Sequence, residues 1–314
     1  MKFAFLLSLC LLALLLSTAS LQAADEANFT RREDVIYGRK FGTALTLDVF
    51  TPKEKRNGAA VIWTVSGGWT SKHEHINLDF LRELLNRGYT VFAVTHGSQP
   101  KYTIPEAIAD MNRAVRYIRS HAEEFQIDPN RIGISGGSAG GHLSLMIGTA
   151  GDLGDPKAED PVDRASSRVQ AVACYFPPTD FLNYGTPGFA WLNQGPKDPL
   201  RAPFDFHVWN PDRKFFEAVD EPTRAKIGAE VSPANHVSAD DPPTLLIHGD
   251  QDRLVPLQQS ELMIEKLKAA GVPCQLVVKQ GQGHGWKNWH DDMKTNADWF
   301  DKYLLPAKTA AKAE

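Results

Sequence analysis

The sequence predicts an α/β fold, a mostly parallel central sheet with helices on both faces. Three observations carry that expectation. Apolar runs at 59–65 and 89–95 read as strands buried on both faces, and 169–176 is a further strand. Amphipathic segments with helical spacing lie between several such runs, so strand and helix alternate along the chain. The stretch Ile132-Gly133-Ile134-Ser135-Gly136-Gly137-Ser138-Ala139-Gly140-Gly141-His142 passes from a strand pattern to a helix pattern through small residues that surround one serine.

Composition fits a soluble core of ordinary size. Of 314 residues, 42% are hydrophobic and 23% charged, which excludes disorder as the main state. The formal charge is −4 and no basic stripe occurs, so nucleic acid is not expected as a partner. Of the three cysteines, Cys10 falls in the leader described next, and Cys174 and Cys274 read as small core residues rather than a disulfide framework.

Residues 1–23 have the layout of a secretory signal peptide: Lys2, an apolar run to Leu16, then small residues and a cleavage point at Ala23 or Ala24. The run is too short for a comfortable membrane span. A secreted or periplasmic protein follows, with no stable membrane anchoring once the leader is removed. Residues 24–306 form one domain and 307–314 a frayed tail.

Within the domain, Val35 to Tyr37 begin a short strand after a polar stretch at 28–32. Leu45, Leu47 and Val49 then alternate along a half-buried strand over 43–50. The strand at 59–65 ends in Ser66-Gly67-Gly68-Trp69. Leu78, Leu81, Leu84 and Leu85 mark a helix stopped by Gly88. After the strand at 89–95, Pro105 opens a helix whose apolar face holds Ala107, Ile108, Met111, Ala114, Val115 and Ile118. A polar loop at 151–167 precedes the strand at 169–176.

An insertion at about 181–240 then breaks the rhythm with prolines and with aromatics that include Tyr184, Trp191, Phe204, Trp209 and Phe216. It reads as a cap packed over the strand ends and holding substrate, the alternative being a satellite subcore without ligand contact. A strand at 244–248, a helix at 259–270, a strand at 274–279 and a helix at 291–305 complete the domain.

The chemistry gathers at loops that follow strands. Glycines at 136 and 140 flank Ser138 as a sharp strand-to-helix turn requires, which is the setting of a nucleophile elbow. A serine hydroxyl needs a base, and the base needs an acid to orient it. Gly283-His284-Gly285 offers the base after the last strand. Gly249-Asp250-Gln251-Asp252 offers two carboxylates after the strand before it, one to orient the histidine and one to stabilise the turn. The chain order Ser, Asp, His is that of an α/β-hydrolase triad. Oxyanion donors are expected from the backbone N–H of Ala139 and of Gly68 or Trp69. His73 and His75, two residues apart, do not share a helical face, so no metal site is expected from them; no cofactor is implied either.

In these features the chain resembles secreted α/β-hydrolase carboxylesterases related to bacterial feruloyl and acetyl-xylan esterases, hormone-sensitive-lipase-like esterases and kynurenine formamidase. The resemblance rests on residues 136–142, 248–256 and 283–285 and on the 105–119 helix leading to Asp128-Pro129-Asn130. It implies Ser138 as nucleophile, Asp252 rather than Asp250 as acid and His284 as base. One departure stands out. The relatives usually carry a histidine that braces the oxyanion glycines, where this chain has Ser66.

The reading is a secreted serine hydrolase that cleaves carboxylic esters through an acyl-enzyme on Ser138, its substrate a small-molecule or carbohydrate ester. The alternatives are a serine peptidase of the prolyl oligopeptidase kind and a non-catalytic binding module on the same scaffold.

Overall fold

The computed structural model describes residues 28–192 and 197–306. The expected leader and the tail at 307–314 lie outside the described residues.

Strands β1 (Phe29–Lys40) and β2 (Thr43–Pro52) form an antiparallel pair. After them come β3 (Ala60–Thr64), α1 (Arg82–Asn86), β4 (Thr90–Val94), α2 (Ile104–Ser120) and the single turn α3 (Ala122–Phe125). Then follow β5 (Ile132–Gly137), α4 (Ala139–Ala150) and β6 (Ala171–Tyr175). The chain continues through the hairpin β7 (His207–Asn210) and β8 (Phe215–Ala218), then α5 (Glu221–Glu230) and β9 (Thr244–Gly249). Helix α6 (Gln258–Ala269), β10 (Cys274–Lys279) and α7 (Met293–Leu304) end it.

Eight strands make one sheet in the order β1-β2-β4-β3-β5-β6-β9-β10. It is antiparallel at β1–β2 and β2–β4 and parallel from β4 to β10. Every residue of β3, β4 and β6 is buried, which is why these strands read as unbroken apolar runs. Their alternate side chains serve two cores. Ala60 and Ile62 of β3 join the face covered by α2, α4 and α6, and Val61 and Trp63 join the face covered by α1 and α7. Helix α2 is fixed at its start by a reciprocal cap between Thr103 and Glu106 with Pro105 in the first turn.

Three elements differ from expectation for local reasons. β1 begins at Phe29 because its polar residues sit on a sheet edge, where charge is compatible with pairing; Arg31 donates to the buried Asp48 of β2 at 2.6 Å. The helix expected at 78–86 breaks at Leu81 into a 3-10 turn (Leu78–Phe80) and α1. The helix expected from 291 starts at Met293, after a 3-10 turn (Trp289–Asp292). Cys274 lies on the edge strand β10 and is only half-buried, so of the two cysteines Cys174 alone is a core residue; both thiols are free.

The insertion is not a separate subcore. Phe181, Tyr184, Leu192, Phe204 and Phe206 are buried in the same cluster as the α2, α4 and α6 faces. They reach the loop after β3, where Trp69 packs on Phe181 at 5.8 Å, Phe204 at 5.3 Å and Trp191 at 6.5 Å between ring centroids. Beyond this, the β7–β8 hairpin holds Trp209, Phe215 and Phe216 in solvent contact.

Because the aromatic insertion shares the main core, Phe181→Ala is expected to cost about 3–5 kcal/mol of global stability. Urea denaturation monitored by far-UV circular dichroism checks this. One transition with a lowered midpoint is the expected result, and a second transition confined to the insertion would contradict the shared core.

Candidate active site

The site lies at the carboxyl ends of the parallel strands, where their loops converge. Ser138 follows β5 directly, and its backbone takes φ 54° and ψ −121°, a conformation sparsely populated for a residue with a side chain. Two close approaches make room for it. A Cβ at Gly136 would lie 2.6 Å from the carbonyl carbon of Gly140, and one at Gly140 would lie 2.7 Å from the Thr64 oxygen. The Ser138 N–H donates to Tyr175 O at 2.9 Å, and His142 N–H closes the first turn of α4 onto Ser138 O at 2.9 Å.

His284, on the loop after β10, places Nε2 2.9 Å from Ser138 Oγ and Nδ1 2.7 Å from Asp252 Oδ2. An ionised carboxylate only accepts, so Nδ1 carries the proton and Nε2 is left to accept from the serine hydroxyl. Phe176 packs on the His284 ring at 4.6 Å. Asp250, the other carboxylate of the preceding loop, accepts from Gly281 N–H at 2.7 Å and so ties the two loops together. The two acids thus have different partners, His284 for Asp252 and the Gly281 N–H for Asp250.

Asp252 is heavily solvated by protein. Its Oδ1 accepts from Leu254 N–H and Val255 N–H, both at 2.9 Å. Its Oδ2 takes His284 and, at 3.2 Å, the buried His248. His248 also donates from Nε2 to Val255 O at 2.9 Å and accepts from Ser260 Oγ at Nδ1 (2.7 Å). Burial pushes the Asp252 carboxyl up, but the hydrogen bonds from His248, His284 and Val255 outweigh it and hold the pKa well below the usual carboxylate range. The group is therefore an anion at any working pH.

The loop after β3 makes a tight turn. Gly67 and Thr70 exchange both backbone hydrogen bonds at 3.0 and 2.9 Å, with Gly68 at φ 55° and Trp69 at φ 58° between them. No partner among the described residues takes the N–H of Gly68, Trp69 or Ala139. Trp69 is held in this conformation by its indole, which donates to His142 Nδ1 at 3.2 Å; His142 Nε2–H in turn donates to Val231 O at 2.7 Å. From the insertion, Leu200 closes over Gly68, where a Cβ would meet it at 2.8 Å.

Beside Ser138 opens a cavity of about 280 Å3. Its walls include Trp63, His75, Phe80, Phe176 and Trp289, with Ser66, Gly67 and Gly137 near the serine. Phe80 stacks on Trp63 at 5.0 Å and leans on Trp289 at 4.1 Å. None of these residues belongs to the insertion. A larger cavity of about 460 Å3, between α2, α4 and the insertion, is lined by none of Ser138, Asp252 and His284. His73 and His75 part company as their spacing implied. His75 faces the cavity beside Ser138, while His73 sits 3.1 Å from Asp48. Glu33, Asp48 and His73 bring ligand-type atoms within 4.8 Å of one another, but Arg31 already pairs with both carboxylates.

A parallel sheet with this elbow, and with a histidine and an acid from its last two loops, defines an α/β-hydrolase. Residues 47–267 match the family described as BD-FAE, and the chain belongs to it. A shorter stretch, 223–312, matches the α/β-hydrolase family described as TAP-like protein. The chain is 31% identical over 244 residues to a probable carboxylic ester hydrolase, LipM, of Mycobacterium tuberculosis, covering 75% of this chain and 51% of LipM. It spans about half the length of that relative and of esterase LipQ from the same organism. Among solved structures, a truncated carbohydrate esterase from gut microbiota superposes with a TM-score of 0.69 at 27% identity, covering 88% of this chain and 96% of that one. An acetyl ester-xyloside bifunctional hydrolase from Caldicellulosiruptor lactoaceticus gives 0.68 at 25% identity, covering 86% and 95%.

Two buried histidines brace this site as neutral rings. Burial lowers the pKa of His142 and of His96, the latter beside Ser66, from 6.5 to about 4. The unfolded chain takes up protons there that the fold excludes, so their contribution to stability is complete above about pH 6.5 and is lost as pH falls through about 4. Stability at pH 4.5 is expected to be lower than at pH 7 by roughly 2 kcal/mol for each ring. Urea midpoints at the two pH values measure it, and His142→Gln should shrink the difference.

Proposed function

We propose that this chain is a secreted or periplasmic serine carboxylesterase that acts on acylated carbohydrates or related small esters. The observation that carries the reading is the continuous hydrogen-bonded run from Ser138 Oγ through His284 to the anionic Asp252, set beside an aromatic-walled cavity. The ester substrate class is supported by the names of the relatives, among them an acetylxylan esterase of Xylanibacter ruminicola at 24% identity. Export is supported by the leader pattern at 1–23.

Ser138 Oγ attacks the ester carbonyl carbon while its proton passes to His284 Nε2. The imidazolium so formed is stabilised by Asp252, already an anion and 2.7 Å from Nδ1. The carbonyl oxygen gains the negative charge and is met by the N–H of Ala139 and of Gly68 or Trp69, donors without other partners among the described residues. The tetrahedral adduct collapses, the alcohol leaves with the proton from His284, and Ser138 keeps the acyl group. Water then gives a proton to His284 and attacks the acyl carbon. The second adduct releases the carboxylic acid as Oγ recovers its proton. The role of each group follows from whether it can accept or donate, and no further component is needed for the proton balance.

Ser138→Ala is expected to lower p-nitrophenyl acetate hydrolysis by at least ~10⁴-fold in a folded protein. It should also abolish labelling by a fluorophosphonate probe; full activity or labelling in this variant would refute the reading. If the cavity receives the acyl group, Trp289→Ala widens it. The ratio of kcat/KM for hexanoate over acetate esters should then rise by roughly tenfold, about the value of two buried methylenes.

A further inference from the structure

We infer that His96 is a positioning residue for the oxyanion turn and acts through Ser66, whose hydroxyl it holds at the entry to that turn. The inference rests on the reading of Ser138 as nucleophile.

Strand pairing brings the two residues together. Thr64 lies opposite Val94 in the parallel β3–β4 pair. The same register carried two residues past each strand sets Ser66 beside His96. There His96 Nε2 is 2.8 Å from Ser66 Oγ and Nδ1 is 2.9 Å from Gly97 O. A carbonyl oxygen only accepts, so the proton sits on Nδ1 and Nε2 must accept the Ser66 hydroxyl. Burial keeps the ring in this neutral state, with a pKa of about 4.

The ring cannot drift. Gly97 N–H donates to Asp110 Oδ2 at 2.7 Å, and the same oxygen receives Lys40 Nζ at 2.6 Å. His96 N–H donates to Ser71 Oγ at 3.1 Å, and Ser71 Oγ donates to Val65 O at 2.6 Å. His96 is thereby tied to both ends of the segment that contains the turn.

The turn needs such a hold. Both of its central residues, Gly68 and Trp69, have positive φ, which costs a bulky residue such as Trp69 on the order of 1–3 kcal/mol. Its exit is fixed by the Trp69 indole on His142 and by Gln99 N–H on Trp69 O at 3.1 Å. At its entry, His96 is the side-chain partner of Ser66 Oγ among the described residues. If that bond is lost, the donors on Gly68 and Trp69 shift relative to the developing oxyanion, and a displacement of about 1 Å is enough to cost ~10²-fold in rate. The aromatic walls of the cavity stay where they are, so substrate binding changes little.

The test is a double-mutant cycle with Ser66→Ala, His96→Asn and the pair, assayed on p-nitrophenyl acetate beside Ser138→Ala. Asparagine retains a donor for Gly97 O but is too short to reach Ser66. Each single variant is expected to lose about tenfold or more in kcat, with KM within about twofold of wild type, and the pair to be no worse than the worse single variant. Smaller losses, losses that multiply, or a loss carried by KM would overturn the inference. Thermal melts verify folding, and if His96→Asn does not fold, the kcat and KM of Ser66→Ala decide alone. A silent Ser138→Ala with full kcat in the folded Ser66 and His96 variants defeats this inference only, whereas an active Ser138→Ala defeats the proposed function.

Discussion

Ser138 is held where few residues with a side chain are stable, and most of the surrounding architecture follows from that. With φ at 54° the chain reverses from β5 into α4 without an intervening loop, so the hydroxyl stands at the sheet's edge while the helix runs back beneath it. The turn closes only because Gly136 and Gly140 approach backbone to backbone, and because Ser138 N–H is anchored to the neighbouring strand at Tyr175. The strain is local, and the load is spread across β3, β5, β6 and α4. Substituting either glycine would therefore act on the direction of the serine as well as on the fold.

Around that point the protein uses imidazole in two ways. His284 is partly accessible and faces a hydroxyl, with a carboxylate behind it. His96, His142 and His248 are buried, and each satisfies one ring nitrogen with a carbonyl oxygen. That carbonyl selects the tautomer and leaves the other nitrogen as an acceptor for Ser66, Trp69 or Ser260. A neutral ring with one fixed donor and one fixed acceptor transmits position without adding charge. Asp252 is consequently opposed by dipoles and by His284, and no lysine or arginine pairs with it among the described residues.

Much of this was legible in the chain. β3, β4 and β6 announce themselves because both their faces are covered, and the elbow does so because its glycines have no other steric purpose. The ordering of serine, acid and histidine along the loops was equally plain, although only geometry separates Asp252 from Asp250 at the level of contacts. What stayed hidden depends on strand register. β3 and β4 are parallel neighbours, but the register that sets Ser66 beside His96 leaves no mark on apolar runs whose faces are both buried. Phe80 and Trp289 were hidden for a related reason. They meet from two short 3-10 turns about two hundred residues apart in sequence, each too brief to carry a periodic signal. Polar edge strands such as β1 resemble loops, since solvent tolerates the same residues in both.

The separation of 146 residues between Ser138 and His284 has a bearing on how the protein is made. A ribosome delivers Ser138, its elbow and the turn at 67–70 long before His284. Until β10 pairs with β9 and the loop that follows it reaches Ser138, the hydroxyl lacks its His284 partner. The hydrogen-bonded run from Ser138 to Asp252 is thus completed only by the C-terminal part of the chain, whatever the state of the elbow before it.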